Sequence, residues 1–251
     1  MNKELSPLAQ RLEFLAAGRA LHGWAKAIGL PKISIENVMK GNGLSYESLA
    51  HLHRVENVRT DWLLEGRGSP FSVNACLCDE SAHELLDQLL VERWEMDVIT
   101  DESRVAIVLS QPAQVQVKDG KDSAGHQKYR DINYRLVEIV CGALGAHTIA
   151  RATAFGIHRV LQIGCDMMRD LEAGKLGSYF LFSSPSALIP HAVQYAHAGK
   201  LFENLAKGER AVSTPDERAL LSSYRSMSAD KRQAVSQVVL SMAELGLGKL
   251  K

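Results

Sequence analysis

The sequence lacks an excess of either charge. Its 251 residues carry 29 Lys and Arg against 29 Asp and Glu, so any footprint for a polyanion must be local rather than spread over the chain. No stretch approaches the roughly 20 apolar residues needed to span a bilayer. The opening Met1-Asn2-Lys3-Glu4 lacks the apolar run of a signal peptide. Cysteine is scarce. Cys76, Cys78, Cys141 and Cys165 are too few for a disulfide scaffold in a chain this long, and a reduced, cytoplasmic protein is expected. There is no internal repeat, no low-complexity tract, no phosphate-binding glycine loop and no paired-carboxylate motif.

A 46% hydrophobic content is sufficient for a sizeable core. Residues 7 to about 66 predict a run of short helices. Ser6-Pro7 is a start signal, because Ser can cap and Pro fits the first helical position. Leu8, Leu12 and Leu15 follow at helical spacing. Further helices are expected over Leu21 to Ile28, over about Lys32 to Lys40, after Ser45, and at Asp61-Trp62-Leu63-Leu64. The cluster Gly66-Arg67-Gly68-Ser69-Pro70 is a breaker and marks a boundary.

Beyond it, Ser81-x-x-Glu84 predicts a helix over about 81–94. The segments 97–100, 104–109, 113–117 and 132–140 are rich in β-branched residues and predict a small antiparallel sheet, its strands too close together for helical crossovers. Lys118 to Arg130 reads as a mobile hairpin loop. Helix is expected from His147 to about Leu176, a short strand at Tyr179 to Phe182, and helix over Ala187 to Lys207. Thr214-Pro215-Asp216-Glu217 is a capping box opening a helix with Leu220, Leu221 and Tyr224. Ser228 starts another, with Val235, Val238, Val239 and Met242 on one stripe. That stripe suits either self-association or packing on its own domain. The expected fold is α+β: an N-terminal all-α domain of about five helices over 1–70, a linker over 71–80, and a regulatory or oligomerisation domain over 81–251. In the last, 81–145 carries a helix and the small antiparallel sheet, and 146–251 is mostly helical.

The spacing from Leu21 to Lys40 is that of a helix-turn-helix. Ala25 falls where two helices cross closely, and Gly29 falls in the turn, where positive φ is usually required. Leu30, Ile35 and Val38 anchor the second helix. Pro31, Lys32, Ser34, Glu36, Asn37 and Lys40 point away from that core, onto a face that can touch bases and phosphates. From Arg19 to Lys40 four basic residues stand against Glu36 alone. Surface lysines and small residues at such spacing also occur in ordinary helical hairpins.

The stretches Leu21-His22-Gly23-Trp24-Ala25-Lys26-Ala27-Ile28-Gly29 and Ile33-Ser34-Ile35-Glu36-Asn37-Val38-Met39-Lys40-Gly41 resemble the Cro/cI-type (XRE-type) helix-turn-helix family, especially phage repressor-like regulators. Arg59 to Gly68 resembles that family's final helix. The resemblance covers about a quarter of the chain. Pro31 departs from the small polar residue often found before the reading helix, and Trp24 is bulky.

The resemblance implies that the helix from about Lys32 enters the major groove. Asn37 would pair with adenine, Lys32 would donate to guanine, and Glu36 would accept from cytosine or repel wrong sites. Arg19, Lys26 and Lys40 would hold phosphates. It implies a sequence-specific transcriptional regulator, a repressor more than an activator, binding a palindromic operator in double-stranded DNA as a homodimer. An antirepressor or small-molecule effector is a further candidate partner.

Two alternatives stand beside it. One is a protein-interaction hub built on the N-terminal helices. The other is an autoproteolytic Ser-Lys repressor cut at Cys141-Gly142. For the latter the family's serine loop is absent, Ser183-Ser184-Pro185-Ser186 is a poor substitute, and no lysine follows in a downstream strand. Cys76-x-Cys78 with His83 misses the usual zinc-knuckle spacing and reads better as a linker thiol pair. Arg151, His158 and Arg159 suit an anion pocket or a solvated helix face equally. No enzyme, cofactor, metal or membrane partner is expected.

Overall fold

The computed structural model describes residues 5–206 together with residues 224, 227, 231, 235, 237 and 238. Met1–Gly208 forms one compact unit and Glu209–Lys251 a second. Helix and strand are mixed, an α+β fold.

Five helices open the chain: α1 (Pro7–Ala16), α2 (Leu21–Ala27), α3 (Lys32–Met39), α4 (Tyr46–Glu56) and α5 (Thr60–Glu65). Their ends follow local chemistry. The Ser6 hydroxyl accepts from the Ala9 amide ahead of Pro7, and the Ser45 hydroxyl accepts from the Ser48 amide. Gly66 closes α5 in the left-handed region. Leu12, Trp24, Ile35, Val38, Leu52 and Leu63 bury themselves in one shared core.

The segment expected as a linker is structured. Phe71 is buried in that same core, and residues 74–76 form strand β1 (Asn74–Cys76). Then follow α6 (Asp79–Leu89), β2 (Glu95–Thr100), β3 (Val105–Lys121), β4 (Gln127–Gly142), α7 (Ala146–Phe155), β5 (Arg159–Gln162), α8 (Cys165–Glu172), α9 (Ser178–Phe182), α10 (Leu188–His191), β6 (Val193–Gln194) and α11 (Ala198–Ala206).

Among the described residues six strands lie in the order β1-β4-β3-β2-β5-β6. The sheet is mixed, not antiparallel as expected. β2, β3 and β4 form an antiparallel meander, but β1 runs parallel to β4 and β5 runs parallel to β2. The short spacing of the middle strands does exclude crossovers among them. The parallel pairings come from strands outside the meander, reached through connections that include α6 and α7.

Both faces of the sheet are covered. Val98, Ile107 and Leu109 pack with Ala82 and Leu86 of α6 and Ala152 of α7. Their neighbours Ile99, Ala106 and Val108 pack with Met168 and Leu171 of α8 and Leu181 of α9. Burial on both faces explains the unbroken buried run from Val105 to Ser110.

Other expectations change. The helix expected over 147–176 is interrupted by β5, the strand expected at 179–182 is helix α9, and the helix expected over 187–207 is split by β6. The hairpin loop expected over 118–130 is largely paired. Lys118 faces Tyr129 and Lys121 faces Gln127 across an irregularity. The turn is closed by Asp122 Oδ1, which accepts from the amides of Ala124 and His126. Of the C-terminal stripe, Leu220, Leu221, Val239 and Met242 lie outside the described residues, as does the capping box at 214–217.

Candidate nucleic-acid interface

The path from α2 to α3 is set by a left-handed glycine. Gly29 has φ +82°, its amide donates to the Lys26 carbonyl, and the Leu30 amide reaches back to the Ala25 carbonyl at 2.8 Å. This pair of bonds terminates a helix and turns the chain sharply. Leu30 then drops into the core, Ala25 is enclosed, and Ile35 and Val38 are 0% and 1% exposed. The same closure recurs after α3, where Gly41 has φ +90° and the Asn42 amide donates to the Asn37 carbonyl. With Ile35 and Val38 facing inward, helical spacing turns Lys32, Ile33, Glu36, Asn37 and Lys40 to the opposite side.

Of the eight residues singled out from sequence, the fold gathers most at one surface. Pro31 occupies the position before α3 with extended backbone, and Lys32 and Lys40 are exposed at its two ends. Glu36 is half-buried and pairs with Lys32 at 3.3 Å. An exposed i,i+4 pair of this kind contributes only about 0.3–0.5 kcal/mol, so it would open readily for another partner. Asn37 is half-buried on the same side, and Lys26 is exposed at the end of α2.

Two residues are placed elsewhere. Ser34 is half-buried, its hydroxyl 3.0 Å from that of Ser48, and ties α3 to α4. Arg19 turns inward. Its guanidinium donates to the carbonyls of Leu15 and Ala16 and lies 3.5 Å from the ring centre of Tyr179. It stands 3.8 Å from Glu56, a buried carboxylate. Arg19 therefore ties α1 to α4 and α9, and lies apart from the outward side of α3.

Trp24, bulky in the sequence, is 2% exposed and donates its indole N–H to Glu56 Oε1 at 2.7 Å. Burial pushes the Glu56 carboxyl above the ordinary carboxylate range, and the Trp24 hydrogen bond and the Arg19 charge only partly offset it.

The sequence reading missed three features of this surface. Ile33 and Tyr46 are exposed beside the polar face, at 57% and 81%. Apolar groups there can contact a thymine methyl or sugar edges. The third is the outer half of the β3–β4 hairpin, which leans against the α2–α3 turn. Arg130 donates to the Lys26 carbonyl at 2.6 Å. A Cβ added to Gly29 would sit 2.8 Å from Ile132 Cγ1 and 3.0 Å from Val117 Cγ1. No local signal announces a contact between residues about a hundred positions apart.

Other candidate chemistry is dispersed. Cys76 lies in β1 and Cys78 immediately before α6, so neither belongs to a linker. Among the described residues no three His, Cys, Asp or Glu gather as a metal site. Cys141 is enclosed in β4, where burial lifts its thiol to about 11, and the adjoining Gly142 pairs with Cys76. Arg151 pairs with Asp87, whereas Arg159 holds Asp97 through two hydrogen bonds.

No helix of the described residues is long and apolar enough to cross a membrane. No protein-family model, no curated protein and no solved structure matches this chain.

Proposed function

We propose that this chain is a sequence-specific DNA-binding transcriptional regulator, with α1–α5 as its DNA-binding region and α3 as the helix that enters the major groove. The observation that carries the reading is the division of α3. Ile35 and Val38 are locked into the core, while Lys32, Ile33, Glu36, Asn37 and Lys40 share the outward side. A helix held by one side presents a fixed pattern of donors and acceptors at a depth base edges can meet. In this reading Asn37 pairs with adenine, and Lys32, once it leaves Glu36, donates to guanine. Lys26 and Lys40 flank them as phosphate contacts.

The regulator acts as a homodimer on a palindromic operator, since one such unit reads only half a site. Repression by blocking a competing protein is the simplest consequence. Its setting is the cytoplasm.

The test is selection of bound duplexes from a random pool, followed by Asn37→Ala on the selected site. Asn37→Ala should cost about 1–3 kcal/mol and relax preference at one base pair. Failure to enrich any sequence, with no salt-sensitive retention on DNA, would overturn the reading.

A further inference from the structure

We infer that the β3–β4 hairpin is a second DNA-contacting element, and that the cleft between its outer half and the α2–α3 turn takes a backbone phosphate of the duplex beside α3. The inference rests on the reading of α3 given above and adds a partner surface that α3 itself does not contain.

Past Ser110 the hairpin leaves the sheet, because β2 pairs with β3 only as far as the Glu95–Ser110 match. The remainder, from Gln111 to Lys121, is a two-stranded arm roughly 30 Å long at ~3.3 Å per residue. An isolated two-stranded arm is marginal in water. This one is braced: Val115 and Tyr134 pack on the core of the N-terminal helices, Val117 and Ile132 close on Gly29, and Arg130 holds the Lys26 carbonyl. Its position beside α3 is therefore built in.

The bracing brings like charges together. The cleft has a volume of about 330 Å³, and Lys26, Lys32, Lys118 and Arg130 line it with His22. Asp119 is the one carboxylate in that lining, 3.7 Å from Arg130. Arg130 Nε is enclosed yet makes no hydrogen bond among the described residues. Glu36 on Lys32 and Asp119 beside Arg130 offset only part of the charge of these four cations, and the remainder favours an anion between α2, α3 and the arm. The anion that α3 would bring to this place is a phosphodiester of the strand it lies against. Such contacts fix register and add affinity without reading sequence.

The experiment measures binding of the full chain to a random-sequence duplex over a salt series, for wild type, Lys118→Gln and Lys200→Gln. Lys200 lies on α11 and serves as the control. Lys118→Gln should make the plot of log affinity against log salt shallower by about 0.9, the contribution of one phosphate contact. It should weaken selected and random duplexes alike, and Lys200→Gln should leave the slope unchanged. A second variant joins Gln116 to Asp131 through Asn-Gly in place of residues 117–130, removing Lys118 and Arg130 together. It should also bind more weakly, with the near-ultraviolet circular dichroism spectrum retained as the check on folding. An unchanged slope for Lys118→Gln overturns the inference. So does tighter binding by the shortened arm, which would mean that the arm shields α3. The two proposals fail separately: loss of operator preference in Asn37→Ala with no effect of Lys118→Gln removes the arm and leaves α3 in place.

Discussion

The indole N–H of Trp24 donates to Oε1 of Glu56 at 2.7 Å, and both side chains are almost entirely enclosed. The bond pins α2 to the last turn of α4, and so fixes the helix that precedes α3. It also leaves a carboxylate in a place where its charge is poorly solvated.

A pH dependence follows. Burial, as the largest influence, raises the folded-state pKa of Glu56 above the ordinary value of 4.5. The folded state then binds a proton more tightly than the unfolded chain, so stability falls as pH rises from about 4.5 through the raised value. Glu56→Gln keeps an acceptor for Trp24 and removes the charge. It should be at least as stable as wild type at neutral pH, with a flatter stability profile across that window. Glu56→Ala strands the indole donor and should cost about 1–3 kcal/mol. Thermal unfolding of the three proteins at acidic and neutral pH distinguishes these outcomes.

Gly29→Ala should destabilise the protein by roughly 1–3 kcal/mol, since alanine must adopt a left-handed backbone. The new methyl would also press on Ile132 and Val117. Denaturant melts would show the loss. Equal stability of the two proteins would mean that the turn relaxes freely.

Ser34→Ala should separate packing from reading. Its hydroxyl lies within hydrogen-bond distance of Ser48, so its removal should cost about 0.5–1.5 kcal/mol of folding stability. Preference among selected duplexes should stay as in wild type. A changed base preference would show that Ser34 contacts DNA.

Asp79 is a further point of pH sensitivity. Burial alone would raise its carboxyl, but hydrogen bonds from Thr148, His147 and Gly145 outweigh that and hold it below 3.8. Its contribution is present above about pH 3.8 and is lost as pH falls through the lowered value. Because these bonds satisfy the first amides of α7, Asp79→Ala should cost about 0.5–2 kcal/mol at neutral pH. Urea titration at two pH values would measure it, and a variant as stable as wild type at neutral pH would remove the capping role.

What could be read from sequence was what is decided locally. Ser6-Pro7, Ser45 and Gly66 mark helix ends because caps and left-handed turns act within a few residues, and the first five helices were legible for that reason. The sense of the sheet was not, since β5 is only four residues long and finds its parallel partner in β2 more than fifty positions earlier. Arg19 has the composition of a phosphate contact, and nothing near it in the chain reveals that Tyr179 will capture it. Phe71 reads as a residue after a breaker, yet its ring lies 6.2 Å from that of Phe14 and 6.3 Å from that of Phe180. Trp24 looked like a departure from pattern because its partner, Glu56, sits two helices away.

Phe71 fills space on both sides at once. A Cβ on Gly177 would come within 2.2 Å of its ring, and its amide donates to the Gly174 carbonyl at 2.9 Å. The first five helices therefore do not hang from a tether. Were two copies to pair through a fixed contact, as the proposed function has it, their α3 helices would stand at a set separation, like the jaws of a fixed gauge. An operator lengthened by a single base pair at its centre would no longer span both.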